Sequence, residues 1–188
     1  MRFTSHLLIA VSTCGLIACG GVPSGGATLE GAKPFAPKSA VVRFEPNDQG
    51  GVNQGSLGIA VTNQTKPDAC NGSSAQSTSY VRLGLASSAP LTVKSYVLLT
   101  TSQLVQSPPP DGATLLVGTQ PAAAAPQDVN IDQSGSVTVS ELSWPKALAD
   151  GGMAGGSVKG TFSASIHLQD GGTSALSGAF DALPCSTP

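Results

Sequence analysis

Apolar and polar side chains alternate along the chain beyond residue 39 with a period of two residues. The clearest run covers residues 158–168, where Val158, Phe162 and Ile166 fall on one side and polar residues such as Lys159 on the other. Such alternation predicts β-strands with one buried and one solvated face, because successive side chains of a strand point to opposite faces of the sheet. The same pattern occurs in segments 40–45, 57–62, 80–85, 91–99, 114–118, 129–131, 136–142 and 176–182.

Sequences typical of turns separate these segments, at residues 49–51, 108–112, 150–152 and 170–172. Each contains glycine, most of them with aspartate or proline, the residues that tight connections favour. The pattern therefore predicts an all-β domain over residues 39–188. We expect an antiparallel β-sandwich or a partly open barrel of about eight or nine short strands.

The last two predicted strands form a hairpin whose register follows from the apolar positions. Opposed residues of an antiparallel pair share a face, so even-numbered residues must meet even-numbered ones. A three-residue loop over residues 170–172 satisfies this condition and places a glycine where that loop requires one. We therefore expect Ile166 opposite Leu176 and Phe162 opposite Phe180.

The chain carries few charges. Lysine and arginine number 9, aspartate and glutamate 11, and the net charge is −2. A chain without a basic cluster lacks the electrostatic footprint of a nucleic-acid-binding protein. The scarcity of charged residues also favours strands, because the solvated faces of helices need many charged side chains.

The first twenty residues have the organisation of an export signal. Arg2 supplies a positive start, and an apolar stretch of twelve residues from Leu7 to Ala18 follows. This stretch is too short to cross a hydrocarbon core of about 30 Å as a helix, and it matches the apolar part of a signal peptide. Its end, Leu16-Ile17-Ala18-Cys19, resembles the lipobox of bacterial lipoproteins.

The resemblance to bacterial lipoproteins implies that residues 1–18 are removed and that Cys19 becomes an acylated first residue. Membrane lipid is then a partner through the acyl chains, palmitate among them, and two or more chains give stable anchoring. Gly20 follows Cys19 in place of the aspartate that favours inner-membrane retention in that class. The resemblance thus implies a cell-envelope location, at the outer membrane. Residues 19–38, rich in glycine and proline, are expected to form a flexible tether of roughly 25 Å.

Two cysteines remain after the signal peptide, Cys70 and Cys185. An exported chain enters an oxidising compartment, so a disulfide between them is the first expectation. Two separate thiols are the alternative.

Few residues suggest catalysis or a transition-metal site. His167 is the one histidine beyond the signal peptide, which leaves little room for a serine–histidine or two-histidine arrangement. Ser143 and Lys146 have the spacing of a serine acylase motif, but Pro145 lies inside the helix that this motif needs. The aromatic residues Tyr80, Tyr96 and Trp144 are candidates for a sugar-binding face, with core packing as the alternative for Trp144.

One segment resembles an EF-hand calcium loop, with Gly135 at the position of its sharp turn. The resemblance implies oxygen ligands from Asn130, Asp132, Ser134, Ser136 and Glu141. The same residues are also compatible with a β-hairpin in which Val129 lies opposite Val139, with a loop over residues 132–136.

The sequence favours a non-catalytic envelope lipoprotein that serves as a binding or structural module. Its partners would be membrane lipid and an envelope protein or glycan, without a cofactor. A calcium-stabilised adhesin is the second hypothesis, and a hydrolase based on serine or carboxylates is the third.

Overall fold

A computed structural model describes most of the predicted domain and a short segment before it. The described residues are 25–31, 35–47, 51–65, 69–70, 78–104, 106, 110–120, 127–129, 133–148, 153–167 and 173–185. The predicted signal sequence and Cys19 lie outside them.

The described residues are almost entirely strand, as the period-two alternation predicts. A short helical turn, Thr101–Leu104, follows the fifth strand. The strands are β1 Ala27–Gly31, β2 Ser39–Pro46, β3 Val52–Thr62, β4 Thr78–Ala86, β5 Ser95–Val97, β6 Gly112–Gln120, β7 Gln127–Val129, β8 Gln133–Ser143, β9 Lys146–Ala147, β10 Met153–Ala154, β11 Ser157–His167 and β12 Thr173–Pro184.

One sheet contains most of these strands, in the order β5-β8-β11-β12-β2-β3-β4-β6-β7, and β1 pairs with β12 beside this path. Neighbours are antiparallel, except that β12 and β2 run parallel. β9 and β10 form a small separate hairpin. Of the two architectures that the sequence left open, the structure has the barrel, in a nearly closed form.

The segment after β5 closes the barrel. β5 pairs with β8, and the Leu98 amide then donates to the Gly135 carbonyl at 3.0 Å. One residue later the Leu99 amide donates to the Ala113 carbonyl of β6 at 2.8 Å. The two ends of the sheet are therefore joined by a chain segment that bonds to one end and then to the other.

Inward-facing side chains of the strands fill the barrel. They are the alternate apolar residues that the pattern predicts, and nearly all are less than 5 % exposed. They include Val42, Leu57, Ile59, Val61, Val81, Leu83, Leu85, Leu115, Val137, Val139, Val158, Phe162, Leu176, Phe180 and Ala182.

Part of the expected tether is folded. Ala27–Gly31 pairs along residues 176–180 of β12, and Leu29 is 4 % exposed. The prediction of a flexible segment over residues 19–38 is thus wrong for residues 27–31. The physical reason is that β12 and β2 pair only at residues 183–184 and 41–42, which leaves an edge of β12 that β1 covers.

The predicted register of the final hairpin is wrong by two residues, although the parity is right. Phe162 lies opposite Gly178, and Phe180 lies opposite Gly160. The expected register would place both phenylalanine rings side by side in a narrow interior. In the observed one each ring covers a glycine, and a Cβ on Gly178 would come within 2.8 Å of the Phe162 ring.

The alternation over residues 91–99 predicts Leu91, Val93, Val97 and Leu99 on the buried face, and this is wrong for Val93 and Val97. Val93 and Val97 are 57 % and 68 % exposed, whereas Tyr96 and Leu98 are buried. Tyr96 can enter the core because its hydroxyl is satisfied there: it accepts from the Thr92 amide at 2.8 Å and donates to the Thr92 carbonyl at 2.9 Å. A buried hydroxyl with both bonds made avoids the cost of desolvation.

The alternative hairpin around residues 132–136 is also wrong. Val129 of β7 lies opposite Val117 of β6, and Val139 of β8 lies opposite Gly160 of β11. Parity allowed the local pairing, but β8 instead pairs with β11 along most of its length, and β7 pairs with β6.

The predicted disulfide between Cys70 and Cys185 is confirmed, with the Cα atoms 5.2 Å apart and a sequence separation of 115. Cys185 directly follows β12, whereas Cys70 belongs to the β3–β4 connection. Because β2 lies between β12 and β3, the bridge links this connection to the end of a strand on the far side of β2. The start of the connection is fixed by the Ser39 hydroxyl, which donates to the Gln64 carbonyl at 2.8 Å.

We predict that replacing Cys70 and Cys185 together by serine lowers the free energy of unfolding by about 4 kcal/mol, because the bridge closes a loop of more than a hundred residues. Urea denaturation of the oxidised protein measures this change. Reduced wild type should unfold near the midpoint of the double variant. A midpoint unchanged by reduction would contradict the prediction.

We also predict that Gly178→Ala destabilises the barrel by about 1–3 kcal/mol, because the added methyl group meets the Phe162 ring and the Thr28 carbonyl. Gly58→Ala is the matched control, since a Cβ there has no atom within 4 Å. Its effect should stay within about 0.5 kcal/mol. Equal losses in the two variants would show that contact with Phe162 is not the cause.

Candidate functional site

The most distinctive surface of the barrel is a shallow depression of about 450 Å³ on the outer side of β8, β11, β12 and β1. We call it the hydroxyl face, because serine and threonine supply most of its side chains. Its outward residues are Thr28, Glu30, Ser136, Thr138, Thr161, Ser163, Ser177 and Ala179.

Strand register arranges these hydroxyls in rows. Ser163 lies opposite Ser136 on one side and Ser177 on the other, and Thr161 lies between Thr138 and Ala179. Opposed Cβ atoms of neighbouring strands are about 5 Å apart. Short side chains at this spacing do not cover the strand backbone between them, so the face forms a depression.

Chemically, the hydroxyl face offers hydrogen bonds of both kinds. A hydroxyl donates one bond and accepts up to two, so the rows can match a ligand with alternating donors and acceptors. Glu30 adds a carboxylate at the β1 margin, and it is exposed. At the opposite margin the hydroxyls of Ser95 and Thr138 lie 3.1 Å apart. Polyhydroxyl compounds such as glycans have the matching chemistry.

A row of charges borders the hydroxyl face. Lys159 on β11 lies between Glu141 on β8 and Asp181 on β12. Its ammonium is 3.1 Å from the Glu141 Oε2 atom and 3.8 Å from the Asp181 Oδ2 atom. This row depends on a β-bulge between Lys159 and Gly160, because an uninterrupted register would place Ser140 opposite Lys159.

Asp181 is the buried member of this row, with only 5 % of its surface exposed. Its Oδ1 atom has no hydrogen-bond partner among the described residues. A buried carboxylate with one free oxygen depends on its cationic neighbour, because an uncompensated charge inside a protein is costly. Lys159 therefore offsets the free-energy cost of burying the Asp181 carboxylate at this position.

The carboxylates also act on Lys159. Its pKa is raised above the ordinary value of 10.5 by the hydrogen bond to Glu141, then by the charges of Glu141 and Asp181. A raised pKa in the folded state means that this pairing stabilises the barrel throughout the neutral range. The contribution of this pairing to the stability of the barrel is lost as the pH rises through the folded-state pKa of Lys159.

The proposed calcium ligands do not come together in the described part of the segment. Ser134, Ser136 and Glu141 all lie in the extended strand β8, where a rise of about 3.3 Å per residue separates Ser136 from Glu141 by roughly 16 Å. Glu141 is bonded to Lys159 instead. Asn130 and Asp132 lie outside the described residues. No cluster of three or more histidine, cysteine, aspartate or glutamate side chains suited to a metal occurs among the described residues.

The aromatic candidates for a sugar-binding face are not a surface cluster. Tyr80 and Tyr96 are 2 % and 3 % exposed. Trp144 is half-buried and packs against Phe44, with ring centroids 5.6 Å apart. The alternative role of Trp144, a cap on the core, is therefore the observed one.

The remaining candidates are placed as follows. His167 is the last residue of β11, and its side chain lies outside the described part. Ser143 ends β8 and Lys146 starts β9, both exposed and separated by a non-helical turn. Neither the rows of hydroxyls nor the charged row could be found in the sequence, because both require knowledge of which strands are neighbours.

We predict that Lys159→Met lowers the urea midpoint of unfolding, because it leaves the buried Asp181 carboxylate without a cation. Adding Asp181→Asn to this variant should recover much of the loss, since the buried charge is then gone as well. Lys38→Met serves as the control for removing an exposed lysine, because the Lys38 side chain is exposed at the surface. Additive effects of the two changes at positions 159 and 181 would contradict the proposed dependence.

Comparison with known proteins finds no relative of this chain. Among the described residues no helix combines the length and apolar character needed to cross a membrane. No protein-family model matches the chain, and neither a curated protein nor a solved structure is detectably similar to it.

Proposed function

We propose that this protein is a lipid-anchored component of the bacterial cell envelope, and that its barrel is a non-catalytic binding or structural module. The observation that carries the proposal is the sequence Leu16-Ile17-Ala18-Cys19 at the end of a short apolar stretch. Acylation at Cys19 and removal of residues 1–18 would leave the barrel attached to a membrane through its amino terminus.

The disulfide supports the export that this proposal requires. Cys70 and Cys185 are joined in the folded chain, and such bridges persist in oxidising compartments such as the bacterial periplasm. The bridge fixes both the β3–β4 connection and the end of β12. A module exposed to the envelope environment gains resistance to local opening from such a link.

The hydroxyl face is the surface that we propose for binding. Its rows of short hydroxyl side chains, with Glu30 at one margin, suit a partner that is itself rich in hydrogen-bonding groups. A glycan of the envelope has this chemistry, and the polar surface of an envelope protein shares it. The outer-membrane location belongs to the same proposal, on the basis of Gly20 after Cys19.

We predict that Cys19→Ser moves the protein from the membrane fraction to the soluble fraction of lysed cells, because the acceptor of the acyl chains is lost. Fractionation followed by immunoblotting measures the distribution. Mass spectrometry of the native protein should find acyl groups on Cys19 as the first residue.

Cys14→Ser is the matched control, because Cys14 lies inside the apolar stretch and follows Thr13 instead of a small residue. This variant should remain in the membrane fraction. If the Cys19→Ser protein stayed there too, or the native chain started elsewhere, the lipid anchor would be refuted.

A further inference from the structure

We propose that the short link between Cys19 and the barrel holds one end of the barrel against the bilayer, so that Trp144 and Phe44 meet the lipid headgroups. This inference rests on the proposed function, since it needs an acylated Cys19. The partner is the membrane surface itself.

The link between Cys19 and the barrel is short. Gly25 is already part of the folded unit: its carbonyl accepts a hydrogen bond from the Ala40 amide at 2.7 Å, and it lies beside Leu183. Five residues separate Cys19 from Gly25, and even a fully extended chain of this length spans only about 20 Å. A domain of this size is roughly 40 Å across, so the link is shorter than the barrel and keeps the end from which it leaves close to the membrane.

The link leaves the barrel near one of its ends. Leu183 is one residue from the end of β12, and its neighbour Ala182 lies level with Val158 of β11 and Leu142 of β8. Gly25 is therefore near the end of the barrel at which β2, β8 and β12 finish. We call this the anchor end.

Large apolar side chains lie at the anchor end. Trp144 follows the last residue of β8, and Phe44 lies near the end of β2. Three strand spacings and about two residues separate Trp144 from Gly25, a distance of roughly 16 Å along the sheet. Trp144 and Phe44 are both half-buried, and Leu148 beside the β9–β10 hairpin is 45 % exposed. Tryptophan is a residue that membrane interfaces favour, because its ring is apolar and its N–H is polar.

Charge does not by itself select this end. Arg43 and Lys146 are exposed near the aromatic pair, but Glu45 is exposed there as well. Glu141 is also nearby and is paired with Lys159. Docking therefore depends on the reach of the link and on the aromatic side chains, and we expect it on uncharged lipid.

The test uses the fluorescence of Trp144, the one tryptophan of the chain. Purified acylated protein is incorporated into phosphatidylcholine vesicles with and without lipid that carries a nitroxide on its headgroup. We expect strong quenching of Trp144. A variant with twenty glycine and serine residues inserted after Gly21 should show quenching weaker by about twofold or more, because the longer coil lets the barrel move away.

A second reporter checks the orientation. Thr173→Trp in a Trp144→Phe background places the probe at the exposed start of β12, about 33 Å from Leu183 along the strand. This probe should be quenched much less than Trp144. Equal quenching at the two positions would overturn the orientation, and equal quenching of Trp144 with and without the inserted spacer would overturn the role of the short link.

Sedimentation of the vesicles separates this inference from the proposed function. Protein that sediments with vesicles while Trp144 remains unquenched refutes the docking and leaves the lipid anchor standing. Native protein that carries no acyl group and does not sediment refutes both.

Discussion

The narrow interior of the barrel admits each phenylalanine of the β11–β12 hairpin only opposite a glycine. Phe162 covers Gly178, and Phe180 covers Gly160. Both glycines approach neighbouring backbone so closely that a side chain would collide with it. These two contacts fix the register of the longest hairpin, and the rest of the sheet extends from that hairpin through β8 on one side and through β2 on the other.

The outer surface inherits its chemistry from that register. With Phe162 opposite Gly178, Ser163 meets Ser177 and Lys159 meets Asp181. A shift by two residues would place Lys159 opposite Leu183 and leave the Asp181 carboxylate without its cation. The bulge beside Gly160 then brings Glu141 to the other side of Lys159. The rows of hydroxyls and the row of charges are thus consequences of how the core is filled.

The amino-terminal strand β1 links the fold to the proposed location. By occupying the edge of β12 next to its junction with β2, it draws residues 27–31 into the barrel. Every residue so ordered is lost from the link to Cys19. With the proposed anchor in place, the same pairing that completes the sheet would therefore bring the barrel close to the membrane. The disulfide at Cys185 secures β12, the strand on which β1 depends.

The sequence by itself determined most of the strands, the inward-facing residues of many of them, and the disulfide. A period of two is a local signal, and two cysteines behind a predicted export signal favour a bridge. The sequence did not determine that Tyr96 turns inward, since this requires the local Thr92 bonds that satisfy its hydroxyl. It also could not give the register of β11 on β12, because parity allows several registers and only the volume inside a closed barrel chooses between them. The hydroxyl face could not be predicted from the sequence either. Its serines and threonines come from separate strands, and only the tertiary structure decided that these strands are neighbours.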